Sequence, residues 1–223
     1  MNTVYASVSD INNRMISVYN NMFLAVVNSM IVSLLVASSP ALMTFLFGTW
    51  VKWIVVFAPL VVIFAMTWVM QKATRTEAQV MLHVFAALMG LSFSTIFVVF
   101  TMGSIVSAFM GAAVLFGTMS LWGYFTKRSL ESWGSYLFVG LIALIITSVI
   151  NVFLGNSTLA MVVSAVAIIV FLGLTAYDTQ NLRNQLSVSD ADGKTEIVGA
   201  LSLYLNFINL FLSLLQLFGG RRD

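Results

Sequence analysis

The stretch LTAYDTQNL (174–182) ends an apolar run and places an aspartate, Asp178, where the chain should still be in hydrocarbon. An embedded carboxylate can carry a proton, meet a passing cation or pair with a base, because its ionised form is costly in a low dielectric. A second pattern lies in GALSLYLNFINLFLSLLQLFG (199–219). There Ser202, Asn206, Asn209, Ser213 and Gln216 follow one another in steps of four, three, four and three. That spacing puts all five on one face of a helix. Such a stripe either hydrogen-bonds neighbouring helices or lines a watered path, and in both cases it has to be hidden from lipid.

Other chemistries lack their parts. One histidine and no cysteine cannot supply the three protein ligands of a catalytic zinc site. No G-x-S-x-G turn accompanies that histidine. Aspartyl proteolysis needs two carboxylates sharing a proton. Asp178 is the one acid that reads as embedded, since Asp10, Glu77, Glu131, Asp190, Asp192, Glu196 and Asp223 all fall in loops or tails. No glycine-rich phosphate loop or basic aromatic stripe is present, so neither a nucleotide cofactor nor a nucleic-acid partner is expected. The chain reads as a non-enzyme.

The elements that would carry these residues follow from composition. Sixty per cent of the 223 residues are hydrophobic and 8% charged, with a mean hydropathy of +1.00, so the partner is the lipid bilayer. Counting stretches of about 20 apolar residues predicts seven transmembrane helices, at 19–38, 50–70, 79–100, 104–125, 134–154, 159–179 and 198–218. The fold expected is all-α and polytopic. Its parts are a polar N-terminal tail (1–18), a single membrane domain (19–218) and a short C-terminal tail (219–223). With the N-terminus inside, the inner segments hold Arg14, Lys72, Arg75, Lys127, Arg128, Arg183 and Lys194, against Lys52, Arg221 and Arg222 outside. The positive-inside rule therefore predicts a cytoplasmic N-terminus and an outer C-terminus.

In that topology Asp178 lies about one turn from the inner end of the sixth span, with 180–196 as the charged loop beyond it. A carboxylate there sits at the unfavourable end of the helix dipole, at about 0.3–1 kcal/mol, and its short side chain reaches headgroups poorly.

GLTAYDTQNL (173–182) and the striped segment after it closely resemble the end of bacterial Bax inhibitor-1-like proteins, the transmembrane Bax inhibitor motif family. GYFTKRSLESWGSYLF (123–138) and ALMGLSFSTIFVVF (87–100) match its middle, and the likeness covers nearly everything from about residue 15 onward. The resemblance implies six helices around a central seventh, residence in the bacterial inner membrane and a pH-sensitive calcium leak. Calcium would then be a transported ion, met transiently at Asp178, rather than a cofactor. Some bacterial members restrain the membrane-anchored AAA protease FtsH. This supports a second reading, a non-conducting regulatory partner that offers its polar tail to the protease. In the family's pattern an acid matching Asp178 shares a proton with an acid on the last helix, and a base at the inner end of the second helix pairs with them. Here the sequence is LYLNFINLF, with Asn206 where the family has aspartate, and the base can be only Lys72 or Arg75. A carboxylate and an amide do not titrate as a coupled pair, so weakened or shifted pH dependence is expected.

Overall fold

A computed structural model of the chain describes residues 7–69, 72–188 and 193–222, with backbone alone at 56, 59, 60, 64, 65, 67 and 68. Asp190, Asp192, Asp223 and the first six residues of the predicted tail lie outside the described residues. The helices are α1 (Val8–Ala37), α2 (Pro40–Phe47), α3 (Val51–Val69), α4 (Arg75–Phe93), α5 (Ile96–Val99), α6 (Met102–Phe125), α7 (Glu131–Leu154), α8 (Ser157–Leu186) and α9 (Lys194–Phe218). No strand occurs among the described residues.

Each apolar interval of the sequence carries helix among its described residues. Six helical stretches among the described residues are long and apolar enough to cross a membrane: α1, α4 with α5, α6, α7, α8 and α9. The remaining interval, 50–70, forms the 19-residue α3. The break between α4 and α5 has a local cause, because Ser94 and Thr95 turn their hydroxyls onto the carbonyls of Leu91 and Ser92. Such back-bonding competes with the helical ladder. Between α7 and α8 the chain reverses through Gly155, at φ +61°, a left-handed conformation that glycine adopts without a Cβ clash.

The chain divides into two compact units. The first comprises Met1–Phe100, Leu186–Tyr204 and Arg222–Asp223, and the second comprises Thr101–Gln185 and Leu205–Arg221. α9 thus contributes its first part to one unit and the rest to the other.

In the first unit α1 crosses α4 at Gly90, where a Cβ would stand 2.6 Å from the Ser29 carbonyl oxygen. Nearby, the Ser29 hydroxyl meets the Ala86 carbonyl at 2.8 Å and the Tyr204 hydroxyl at 2.7 Å. Tyr204 is fully buried, with Phe85 edge-on to its ring. Two expectations change here. α1 begins at Val8, with Ser7 and Asp10 forming a capping box, so the segment read as a loose polar tail is helical from there. Met15 and Val18 on it are buried. Glu196 is no loop acid: it is 5% exposed and accepts from Arg14 Nε at 2.7 Å, while Arg14 Nη1 donates to the Leu186 carbonyl at 3.0 Å. Asp178 is therefore not the one embedded acid. Residue type pointed to the surface because a charge is rarely buried unless paired. The pairing base lies 182 positions away.

In the second unit α8 lies against α6 and α7. A Cβ on Gly123 would clash with the Ala176 carbonyl oxygen, and one on Gly134 would meet the Tyr177 ring at 2.7 Å. Small residues recur at four-residue spacing along α6, as Ser104, Ala108 and Ala112 and as Ser107 and Gly111. Ala108 and Ala112 are buried, whereas Ser107 is exposed. Gly123→Ala is expected to cost about 1–3 kcal/mol, because a backbone atom of α8 has to move. Gly117→Ala meets nothing within 4 Å and should gain about 0.5–1 kcal/mol from helix propensity. Thermal unfolding of the two variants in detergent separates these signs.

Candidate functional site

α8 continues eight residues beyond Asp178, to Leu186, which at about 1.5 Å per residue is some 12 Å. Asp178 therefore sits more than two turns from the helix end. The dipole penalty expected from sequence fades, because that effect is confined to the last turn. The polar run that looked like a loop, 180–186, is the last part of this helix.

Asp178 is half-buried, and the Asn206 side chain is 5% exposed. Asn206 Nδ2 donates to Asp178 Oδ2 at 2.7 Å. An amide donor on a carboxylate makes a short, charge-assisted bond, and in a buried setting each group supplies what the other would otherwise take from water. The two residues singled out from the family's motif are thus in direct contact, although one is an amide.

Around the aspartate, successive α8 side chains have different partners. Ala176 faces Gly123 of α6, Tyr177 faces Gly134 of α7, and Thr179 meets the Ser120 hydroxyl of α6 at 3.0 Å. Asp178 faces α9. The 100° step of the helix distributes four neighbouring residues over three elements.

Two further residues of the stripe bond within their own helix. Asn209 Nδ2 donates to the Leu205 carbonyl at 2.8 Å and Ser213 Oγ to the Asn209 carbonyl at 2.7 Å, both within α9. Ser213 is buried, while Asn209 and Gln216 are half-buried. Ser202 is half-buried and belongs to the first unit. Lys72 and Arg75 are exposed residues of the first unit, just before and at the start of α4. The Arg75 guanidinium lies 3.1 Å from where a Cβ on Gly193 would stand. No group of three or more histidine, cysteine, aspartate or glutamate side chains that could hold a metal occurs among the described residues.

Sequence reasoning missed Gln180 and Arg183. Gln180 accepts from the Leu130 amide and donates to the Arg128 carbonyl, each at 2.8 Å. Arg183 Nη1 donates to the Tyr124 carbonyl at 2.7 Å, with its guanidinium 5.2 Å from the Tyr124 ring centre. The available signal was their helical spacing from Asp178, hidden by reading 180–196 as loop.

Comparison with known proteins agrees with the motifs. A family model described as "Inhibitor of apoptosis-promoting Bax1" matches residues 11–223. Inner membrane protein YbhL of Escherichia coli K12 is 43% identical over 192 residues, covering 83% of this chain and 82% of that protein. The uncharacterized protein RP147 of Rickettsia prowazekii is 38% identical over 212 residues, 94% of this chain and 90% of its own length. An uncharacterized protein of Caulobacter vibrioides is 37% identical over 174 residues, with 76% and 70% covered.

Proposed function

The chain belongs to the Bax inhibitor-1 family, and from that premise we propose that it is a multi-pass inner-membrane cation leak modulated by pH through Asp178. The observation that carries the reading is the 2.7 Å bond between the Asp178 carboxylate and the buried Asn206 amide, which joins α8 to α9. Protonating Asp178 removes the anion that the amide donates to. The contact weakens, and two helices that had been held together are biased toward a second arrangement.

Calcium takes six to eight oxygen ligands at its sites. Asp178 and Asn206 carry two carboxylate oxygens and one amide oxygen between them. They can offer a passing ion a brief contact while it keeps most of its water, which suits a leak rather than a resident site. Lys72 and Arg75 remain the basic residues that the family's pattern would set beside the acid.

The test is calcium entry into liposomes holding the purified full chain, compared with empty liposomes, from about pH 5 to about pH 8. Entry that exceeds the empty control and changes with pH is the expected result. No entry, together with co-purification of a membrane-anchored AAA protease, would replace the leak with the regulatory reading.

A further inference from the structure

The ends of α6 and α7 are closed from outside by α8. α7 begins at Glu131 with Leu130 at its cap position, a residue whose side chain has no oxygen to offer, and no side-chain cap bond forms there. Helix starts leave amides in need of acceptors, and helix ends leave carbonyls in need of donors. Gln180 Oε1 takes the Leu130 amide, and Leu130 itself is 2% exposed. The other half of the same carboxamide, Nε2, holds the Arg128 carbonyl. One turn further along α8, Arg183 donates to the Tyr124 carbonyl in the last turn of α6. Two α8 side chains thus serve three backbone groups, two within the 126–130 connector and one in the last turn of α6.

All these residues belong to the second unit, as do Asp178 and Asn206. Ala176, Tyr177, Thr179, Gln180 and Arg183 bracket Asp178 and attach α8 to α6, α7 and their connector. We propose that Gln180 is the positioning residue of the candidate site: by clamping the connector it sets the rotation of α8 about its axis and so aims Asp178 Oδ2 at Asn206. A hydrogen bond weakens steeply as its angle closes, so a modest turn of α8 is enough to lose it. A carboxamide suits the role because one planar group must accept at one end and donate at the other. The clamp rests on the same Asp178–Asn206 contact as the proposed leak, but it is read without any ion flow.

The experiment uses the full chain, isotope-labelled in lipid nanodiscs. Its readouts are amide hydrogen exchange at Leu130 and the side-chain amide resonance of Asn206, assigned by its loss in Asn206→Asp. In the native protein the Leu130 amide is protected and the Asn206 signal carries the signature of a carboxylate-bound donor, lost in Asp178→Ala. Gln180→Leu is expected to speed Leu130 exchange roughly tenfold and to move the Asn206 signal toward its position in Asp178→Ala. Gln180→Glu keeps an acceptor for the Leu130 amide but loses the donor to the Arg128 carbonyl, so Leu130 stays largely protected while the Asn206 signal moves part of the way toward its position in Asp178→Ala. Faster Leu130 exchange with an unmoved Asn206 signal in Gln180→Leu overturns the positioning role and leaves a cap alone, and unchanged exchange removes the clamp as well. Should Gln180→Leu fail to fold, Gln180→Glu decides: an Asn206 signal that stays at its native position overturns the proposal, and one displaced toward that of Asp178→Ala supports it. Neither result depends on liposome flux, so failure of the leak reading is seen separately.

Discussion

Calcium entry through Asp178→Ala in liposomes is expected to lose its dependence on pH, and entry through Asn206→Asp to gain a steeper one than the native chain shows. In the native protein the α8–α9 contact has one titratable partner, and its proton decides whether the Asn206 amide faces an anion. Alanine removes both the charge and the acceptor. The buried Asn206 amide is then left without that acceptor, a cost of about 1–3 kcal/mol that falls on the arrangement with α8 and α9 held together at every pH alike. The profile should therefore be flat. Asn206→Asp places a second carboxylate where the amide now lies, 2.7 Å from the first. Two carboxylates at that separation titrate as a coupled pair and share a proton over part of the range. One pKa unit of coupling is about 1.4 kcal/mol, so the ratio of entry at the two ends of the pH range should grow by roughly tenfold. The measurement is initial calcium entry at matched protein density for the three chains. Superimposable profiles for the native chain and Asn206→Asp would remove position 206 from the mechanism.

Arg14→Ala is expected to destabilise the protein by about 3–5 kcal/mol, the usual cost of stripping the partner from a buried charge. Glu196 is 5% exposed and its Oε2 is buried without a hydrogen-bond partner among the described residues, so Arg14 Nε on Oε1 is the main compensation seen for its charge. The same arginine also donates to the carbonyl of Leu186, where α8 ends. Truncation leaves both groups uncompensated. Glu196→Gln should cost less, because an amide oxygen can still accept from Arg14 Nε and the guanidinium keeps the Leu186 carbonyl. The double variant Arg14→Met with Glu196→Leu should fall close to the native value, because the desolvation cost of both ions disappears with them. Thermal unfolding of the four chains in one detergent gives the comparison. Equal losses for Arg14→Ala and for the double variant would mean that the pair's charge is irrelevant and that packing alone is lost.

What the sequence alone determined is the class of solvent and the places where helices form. Hydropathy adds up locally: a run of about 20 apolar residues is long enough to span hydrocarbon, whatever else the chain does. Each interval read from the sequence carries helix among its described residues, six of the stretches being long and apolar enough to cross a membrane, and the motif around Asp178 and Asn206 identified the family and the two residues that touch. The ends of elements were less legible. Residues 180–186 are polar and were read as loop, yet α8 runs through them, because Gln180 and Arg183 find backbone partners on the 126–130 connector and at the end of α6. The N-terminal residues from Val8 were read as a tail, yet they carry one half of a buried ion pair.

Tertiary structure alone decided which polar groups are satisfied, and by what. Glu196 is buried because Arg14 arrives from 182 residues away, and neither residue's neighbours in sequence hint at the other. The stripe on α9 was visible as a periodicity, but periodicity fixes only a direction. It does not show that Asn209 and Ser213 turn back on their own helix while Asn206 crosses to α8. The physical reason is common to all of these. Burial of an apolar side chain is favourable against almost any apolar neighbour, whereas a buried polar atom is tolerated only where a particular partner stands at hydrogen-bond distance and angle, and such a partner is placed by the packing of whole helices.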